Sequence, residues 1–234
     1  MLLPGSGSDL RFVFGAFSRP LALVGVELSA RGWPGSRRAG GLVERYRAAL
    51  DAAAAQDGPL VVGGISVGAH VAAQWAAERL PVLGARLRGV LLAMPAWTDE
   101  PAGAPAAGAA LASAADIRRD GLAATLRAVR AGSPRWLGDE LTHAWSGYGP
   151  GLAGDLETAG RLAGPGVGAL RRLDLPVGLA AMTDDPLHPL VVAQGWLSVL
   201  PRAALVTSTL GALGSDASTL GRAAVLAWLR ARQL

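Results

Sequence analysis

Short apolar runs bounded by turn residues alternate along the chain with stretches that carry apolar residues every three to four positions. The runs at 59–65 and 89–94 are typical of parallel strands buried on both faces. Further strands are predicted at 2–3, 24–29, 176–182 and 203–210, and helices at 10–18, 41–56, 67–80, 190–200 and 219–232. Strands that alternate with helices indicate right-handed crossovers. The pattern therefore predicts an α/β protein with a mostly parallel central sheet of about six strands flanked by helices.

The alternation stops between residues 95 and 173, where no strand is expected. Helix starts such as Ser133-Pro134, an N-cap followed by proline at the first helical position, divide this segment into about four short helices. Apolar residues such as Leu126, Trp136 and Trp145 give these helices faces to bury, which favours a helical cap over a disordered linker. We therefore divide the chain into a core, residues 1–94 and 174–234, and a cap inserted at 95–173.

Composition narrows the classes of protein that this pattern allows. Hydrophobic residues make up 51% of the 234 residues, enough for a sizeable core, yet no apolar run approaches the roughly 18–20 residues of a membrane span. The first five residues lack the basic and apolar regions of a signal peptide. The chain has no cysteine, which excludes disulfides and thiolate metal ligands. A cytoplasmic protein without a membrane partner is expected.

The isoelectric point of about 10.8 reflects the choice of basic residue more than a basic surface. All 22 basic residues are arginine, which stays charged to very high pH, and the net charge is only +4. The arginines are spread along the chain, with short pairs at 37–38, 118–119 and 171–172. Because a nucleic-acid-binding protein needs a basic stripe or face, the expected partner is a small-molecule substrate and not a nucleic acid.

Residues 63–68, with the sequence GGISVG, lie where a predicted buried strand meets a predicted helix. The glycines at 64 and 68 flank Ser66 in the G-x-S-x-G pattern of a nucleophile elbow, a strained turn in which larger side chains at the glycine positions would clash. Such a turn presents the serine hydroxyl at the carboxyl edge of the sheet, above a helix N-terminus that favours developing negative charge. The same glycines would also fit a tight strand-to-helix turn that has no catalytic role. Their position between a predicted buried strand and a helix favours Ser66 as a nucleophile.

Four elements, in order, make the chain resemble the α/β-hydrolase superfamily over most of its length. Residues 2–6 resemble the strand and oxyanion loop, with Pro4-Gly5 where relatives usually carry His-Gly. Residues 31–36 resemble the Arg-Gly-aromatic-x-x-Ser loop, residues 64–68 match the elbow, and residues 185–189 resemble the loop of the catalytic acid. The predicted cap lies at the usual site of a cap insertion. The resemblance implies a trimmed version of the fold that starts at the family's third strand.

The resemblance also implies roles for individual residues. Ser66 would attack an acyl carbonyl, and the backbone N–H groups of Ser6 and Val67 would form the oxyanion hole. Asp185 would orient a histidine; Asp184 is the alternative acid, but the spacing to the following proline favours Asp185.

The position of the catalytic base departs from the family pattern. The family's histidine lies in the loop after the last strand, and residues 211–218, which we predict to be that loop, contain none. Of the three histidines in the chain, His188 is placed first because it follows Asp185 by three residues in a loop expected at the rim of the site. His70, one turn into the elbow helix, and His143, in the cap, are expected to be structural.

The sequence therefore predicts a serine hydrolase that acts on a carboxylic ester or thioester of a small, largely apolar compound. Trp97 follows a strand at the carboxyl edge and is expected either to line the substrate pocket or to fill the core. Neither a metal nor another cofactor is expected, since no ligand spacing and no phosphate-binding loop is present. The missing histidine leaves as the first alternative a non-hydrolytic protein of this fold that binds a ligand or catalyses a lyase, cyclase or isomerase step. A scaffold or interaction protein is a further alternative, against which the glycines of the elbow argue.

Overall fold

Five parallel strands form one sheet in a computed structural model of the protein, which describes residues 1–31, 33 and 40–234. In spatial and chain order they are β1 (Leu2–Leu3), β2 (Leu60–Ile65), β3 (Leu87–Ala93), β4 (Val177–Met182) and β5 (Ala203–Ser208). Every neighbouring pair is parallel. Their carboxyl ends therefore meet at one edge of the sheet, which is where ligands bind in open α/β sheets.

Helices cover both faces of the sheet. On one face lie α1 (Leu10–Ala22) and α11 (Ser218–Ala231). The other face is covered by α2 (Leu42–Ala54), α3 (Val67–Leu83), α8 (Val167–Arg171) and α9 (Leu190–Val199). Alternate residues of β3 enter the two cores, Val90 and Leu92 on the α3 side and Leu91 and Ala93 on the α11 side. The predicted α/β sheet with buried central strands is confirmed.

The strand predicted at 24–29 is not formed. The first helix runs through Pro20 to Ala22, beyond its predicted end, and the backbone N–H groups of Val24 and Val26 both donate to the Leu21 carbonyl, with Gly25 at a φ of 73°. These bonds close the end of α1 in the way that a left-handed glycine commonly does. Since N–H groups that cap a helix are not free for a ladder, the described sheet has five strands and not six.

Five helices occupy the segment predicted to hold about four. They are α4 (Pro105–Asp120), α5 (Leu122–Gly132), α6 (Arg135–Tyr148), α7 (Leu152–Arg161) and the short α8. The sixth helix begins one residue later than predicted, with Pro134 at the N-cap. Helices α4 to α7 share an apolar cluster of their own that includes Leu126, Trp145 and Leu156. The division of the chain into core and cap stays a prediction.

Residues 210–215 form α10 (Leu210–Ser215), which corrects the loop predicted at 211–218. The Thr209 side chain accepts from the Ala212 N–H, so the last strand ends at Ser208 and a helix starts at once. The glycines in this segment suggested a loop, but Gly214 lies against the Trp136 ring, where a Cβ would clash. Over the described part of the chain, every helix is too short or too polar to span a bilayer.

Candidate active site

Ser66 occupies a strained turn between β2 and α3. Its φ of 53° and ψ of −121° are unusual for an L-residue, and such conformations typically cost about 1–3 kcal/mol. A Cβ at Gly64 would clash with the backbone of Gly68, and a Cβ at Gly68 would clash with the Pro4 carbonyl. Ser66 itself is held by its N–H, which donates to the Ala93 carbonyl at 2.9 Å. The two glycines therefore allow the chain to turn tightly while Ser66 reaches the carboxyl edge.

The imidazole of His188 lies between Ser66 and Asp185. Its Nε2 is 2.9 Å from the Ser66 Oγ, and its Nδ1 is 2.8 Å from the Asp185 Oδ2. With Nδ1–H donating to the carboxylate, Nε2 is the acceptor of the serine O–H. The Asp185 side chain is 5% exposed and that of His188 14%, so the row is largely shielded from water while the imidazole keeps an open side.

A local turn positions both the acid and the imidazole. The loop follows β4, and the Asp185 Oδ1 accepts from the backbone N–H of Leu187 at 2.8 Å and of His188 at 3.2 Å. Burial alone would raise the pKa of Asp185. The hydrogen bond and charge of His188, together with these two N–H donors, outweigh burial and hold the pKa below its usual value. Asp185 is therefore a carboxylate at neutral pH and fixes the histidine tautomer.

Asp184, the alternative acid, faces away from the histidine. Its Oδ1 accepts from the Leu210 N–H at 2.7 Å, at the start of α10. The carboxylate therefore satisfies one of the free N–H groups at a helix N-terminus. Two adjacent aspartates thus make different contacts: one contacts the imidazole, and the other caps the helix at the place where the resemblance led us to expect a histidine.

The predicted oxyanion-hole donors lie beside Ser66. A Cβ at Gly5 would stand 3.6 Å from the Ser66 Cβ, which places the Gly5–Ser6 peptide next to the serine. Val67 is the first residue of α3, so its N–H has no acceptor within the helix. Among residues 1–31, 33 and 40–234, the Ser6 N–H donates to no protein acceptor.

His70 is enclosed by the core. It is 1% exposed, and its ring contacts Trp97 edge-on at 4.4 Å between centroids and Trp196 at 5.4 Å. Its Nε2 accepts from the Ala96 N–H at 3.0 Å. Burial, with a smaller effect of the His188 charge, lowers the pKa of His70 to about 3. The ring is therefore neutral at working pH and anchors the chain after β3.

The remaining candidates lie apart from the Ser66–His188 contact. His143 is exposed on α6, with its Nε2 3.7 Å from the Asp9 carboxylate. Trp97 is buried, and its indole N–H donates to the Leu162 carbonyl at 3.1 Å. It packs in the core against His70, and a role in lining the substrate pocket stays a prediction.

Two of the sequence features fall partly or wholly outside the described residues. Of the segment 31–36, the structure describes only Arg31 and Trp33, and the arginine pair at 37–38 is not described. In the described part of the chain, no three His, Asp or Glu side chains cluster in the manner of metal ligands.

The structure adds contacts that sequence reasoning missed at residues 5–8, which carry the predicted oxyanion donor Ser6 and are called the oxyanion loop below. The Tyr46 hydroxyl donates to the Gly5 carbonyl at 3.3 Å, and the Trp145 indole N–H donates to the Gly7 carbonyl at 3.0 Å. The partners are 41 and 138 residues apart in sequence. In the sequence both aromatic residues fit apolar helix faces, and no local signal points to these contacts.

Solved structures of three other proteins are similar to the chain. A bromoperoxidase from Bacillus anthracis has a TM-score of 0.67 at 16% identity, covering 98% of this chain and 91% of that one. An alpha/beta hydrolase from Sphaerobacter thermophilus has a TM-score of 0.54 at 20% identity, covering 93% and 89%. A thermophilic esterase from Thermogutta terrifontis has a TM-score of 0.58 at 16% identity, covering 89% and 78%. At the level of sequence, no family model and no curated protein matches.

Proposed function

We propose that this chain, which has the α/β-hydrolase fold, is a serine hydrolase that cleaves a carboxylic ester or thioester of a small, largely apolar compound. The observation that carries the proposal is the row from the Ser66 Oγ through the His188 imidazole to the Asp185 carboxylate, with contacts of 2.9 and 2.8 Å. Nucleophile, base and acid in this order are what acyl transfer through a serine requires.

In the first half of the reaction Ser66 would be acylated. Its Oγ attacks the carbonyl carbon of the ester while its proton passes to the His188 Nε2. The Asp185 carboxylate stabilises the imidazolium through the Nδ1–H bond. The N–H groups of Ser6 and Val67 would receive the negative charge on the carbonyl oxygen, a contribution typically worth about 3–4 kcal/mol per donor. Collapse of the intermediate breaks the bond to the alcohol or thiol, which leaves with the proton from Nε2.

In the second half water would release the acid. The now neutral Nε2 of His188 removes a proton from water, whose oxygen attacks the acyl carbon. The second tetrahedral intermediate collapses, and the proton returns to the Ser66 Oγ as the acyl-enzyme bond breaks. The acid product leaves, and the starting row of hydrogen bonds is restored.

The position of the His188 imidazole bears on the choice between a hydrolase and a non-hydrolytic protein. The alternative of a non-hydrolytic protein rested on the missing histidine after the last strand. In the structure α10 occupies that place, and His188 supplies an imidazole to Ser66 from the loop of the acid. An imidazole in contact with the Ser66 hydroxyl could act as the general base that a serine nucleophile needs, which favours the hydrolase.

Covalent labelling tests the nucleophile. A fluorophosphonate probe should label the wild-type protein at Ser66, and Ser66→Ala should abolish labelling. His188→Ala should lower the labelling rate and the kcat for p-nitrophenyl butyrate by at least about 10³-fold, because removing one member of a triad removes most of its effect. His143→Ala is the matched control, since it deletes an exposed histidine in α6 and should leave both rates unchanged.

The same assays separate the proposal from its alternative. A folded wild-type protein that neither reacts with the probe nor hydrolyses short p-nitrophenyl esters or thioesters would overturn it. Hydrolysis that survives Ser66→Ala would likewise show that the activity belongs to another group.

A further inference from the structure

The oxyanion loop is held from outside by side chains of two helices. Its Gly5 carbonyl accepts from the Tyr46 hydroxyl of α2 at 3.3 Å and from the Ser8 N–H at 3.1 Å. The Gly7 carbonyl accepts from the Trp145 indole of α6 at 3.0 Å. Gly7 permits this approach, because a Cβ there would stand only 3.2 Å from the indole nitrogen. Donors from two distant parts of the chain therefore meet on one four-residue loop.

The carbonyl that Tyr46 contacts belongs to the peptide unit that carries the Ser6 N–H. A peptide unit is planar, and its C=O and N–H point in opposite directions when it is trans, as every described peptide bond is. A donor that fixes the Gly5 carbonyl on one side therefore fixes the direction of the Ser6 N–H on the other. The hydroxyl thus acts on the orientation of the predicted oxyanion donor without touching the substrate.

Within the loop, the Ser8 N–H is a first donor to the Gly5 carbonyl, at 3.1 Å. The other features of the loop leave the Gly5–Ser6 peptide free to turn. Gly5 has no side chain, so its backbone can rotate through conformations closed to other residues. Pro4 offers neither an N–H nor a polar side chain to hold the loop. A second anchor, from elsewhere in the fold, would therefore help the Ser8 N–H to keep the Gly5–Ser6 peptide from turning away from Ser66.

The Tyr46 hydroxyl is suited to be that anchor. Tyr46 is 3% exposed and its ring packs beside Trp33 at 5.6 Å between centroids, so the phenol has little freedom. Burial, reinforced by the nearby Tyr148 and Asp155 and opposed by the Arg45 charge, raises the pKa of the phenol well above its usual value. The hydroxyl therefore stays protonated and remains a donor throughout the pH range of an assay.

We propose that Tyr46 is a positioning residue for the oxyanion hole, that it orients the Ser6 N–H through the Gly5 carbonyl, and that Trp145 is a second anchor through the Gly7 carbonyl. The inference rests on the proposed function, because an oxyanion forms only if Ser66 attacks a carbonyl. It adds a residue of α2 and a residue of α6 to the groups that determine the rate of the reaction.

Tyr46→Phe tests the proposal, because it removes the hydroxyl and keeps the buried ring. Loss of a complete oxyanion donor typically lowers kcat about 10²–10³-fold, so a donor that is loosened and not lost should lower kcat about tenfold. The KM for p-nitrophenyl butyrate should change less than about twofold, since the hole acts on the transition state. Inhibition by an alkyl trifluoromethyl ketone, whose adduct with Ser66 places an oxyanion in the hole, should weaken by the same factor as kcat.

Tyr148→Phe is the matched control. Tyr148 is the other tyrosine of the chain, and its buried hydroxyl donates to the Asp155 carboxylate at 2.6 Å without contacting the oxyanion loop. This variant should lose stability but keep kcat and ketone affinity within about twofold, because no oxyanion donor is affected. An equal fall of kcat in both variants would show that the effect does not depend on contact with the oxyanion loop and would overturn the proposal.

The outcomes distinguish this inference from the proposed function. A wild-type protein without esterase activity or probe labelling overturns both. An active wild-type protein with an equally active Tyr46→Phe variant overturns the inference alone. If Tyr46→Phe does not fold, Trp145→Phe makes the same test at the Gly7 carbonyl: a several-fold loss of kcat at unchanged KM supports the anchoring role, and wild-type kcat rejects it.

Discussion

At Ser66 the backbone holds a conformation that L-residues rarely adopt, and the neighbouring glycines make it possible. Gly64 and Gly68 do so by different contacts: the first lies against the turn of α3 itself, and the second against the Pro4 carbonyl of the neighbouring segment. Gly68 therefore also sets how closely the oxyanion loop approaches the serine. Close backbone packing at the two glycines therefore accounts both for the strained conformation of Ser66 and for the short distance between Ser66 and the oxyanion loop.

Gly68→Ala should lower the free energy of unfolding by about 3 kcal/mol or more, because the new Cβ meets a backbone carbonyl that cannot move independently. It should also reduce esterase activity by displacing the oxyanion loop. Gly108→Ala is the control: this exposed glycine in α4 has open space around its Cα. That variant should gain about 0.5–1 kcal/mol from helix propensity. Urea denaturation measures the free energy of unfolding of both variants. An equal change in the two would contradict a clash at the Pro4 carbonyl as the cause of the loss in Gly68→Ala.

His70 is expected to make the stability of the protein depend on pH. In the unfolded chain a histidine binds a proton below about pH 6.5, whereas burial lowers the pKa of His70 in the folded protein to about 3. The stabilisation from the neutral buried ring is therefore complete above the unfolded pKa. It is lost progressively as the pH falls from there toward the folded pKa.

Between about pH 6 and pH 4, this single group should reduce the free energy of unfolding by about 1.4 kcal/mol per pH unit. His70→Gln keeps an acceptor for the Ala96 N–H but has no titrating ring. Urea denaturation at several pH values gives the slope of the free energy of unfolding against pH. In the variant this slope should be smaller by the contribution of one proton, about 1.4 kcal/mol per pH unit. Parallel curves for the two proteins would contradict a neutral buried His70.

At the scale of elements, a buried ion pair joins α2 to α7. The Arg45 guanidinium contacts the Asp155 carboxylate, and the Tyr148 hydroxyl of α6 donates to the same carboxylate at 2.6 Å. The side chains of the pair are 7% and 9% exposed. The network attaches α2 to α6 and α7. The attachment is polar and therefore depends on complete pairing.

Asp155→Ala should destabilise the protein by about 3–5 kcal/mol, because it leaves the Arg45 charge buried without a partner. The double variant Arg45→Met, Asp155→Leu should recover much of that loss, since neither charge then remains. Glu78→Ala, which breaks the exposed pair with Arg47, is the comparison and should cost less than about 1 kcal/mol. Thermal and urea unfolding give the three values. Additive losses in the double variant would contradict the coupling.

At the scale of the whole molecule, the arginines are distributed and many are paired with carboxylates. Surface pairs occur on most of the described surface helices, and they include Arg47–Glu78, Arg79–Asp51, Arg118–Glu157, Arg119–Asp116, Arg130–Asp139 and Arg222–Asp216. Pairing reduces the local positive potential around each arginine. The high isoelectric point thus does not indicate a strongly positive surface, and the net charge is only +4.

We accordingly predict that the protein does not bind duplex DNA at physiological salt. Nonspecific DNA binding depends on many unpaired cations that release counterions from the phosphates, with dissociation constants of about 10⁻⁴–10⁻⁶ M for proteins that have them. Fluorescence anisotropy of a labelled duplex titrated with the protein measures this. A dissociation constant in the micromolar range, weakening steeply with added salt, would show that the arginines form a basic surface after all.

Much of the fold could be predicted because its signals are local. The runs at 59–65 and 89–94 are buried strands as expected, and the helix after Ser66 begins where the glycines indicated. The predictions of secondary structure were wrong where the same local sequence pattern also fits another structure. The apolar alternation at 24–29 belongs to a half-buried segment whose N–H groups cap α1, and the glycines at 211 and 214 lie in a helix with an N-cap at Thr209.

The sequence by itself determined where the four longer of the five strands lie, the turn at Ser66 and the spacing of Asp185 and His188, because apolar periodicity, glycine sterics and turn geometry act over a few residues. Only the tertiary structure decided which histidine meets the serine, since Ser66 and His188 are 122 residues apart and come together at the carboxyl edge of the sheet, where β2 and β4 both end. It also decided that Asp184 caps α10 and that Tyr46 contacts the oxyanion loop. Such contacts depend on how whole elements pack, and no short stretch of sequence encodes that.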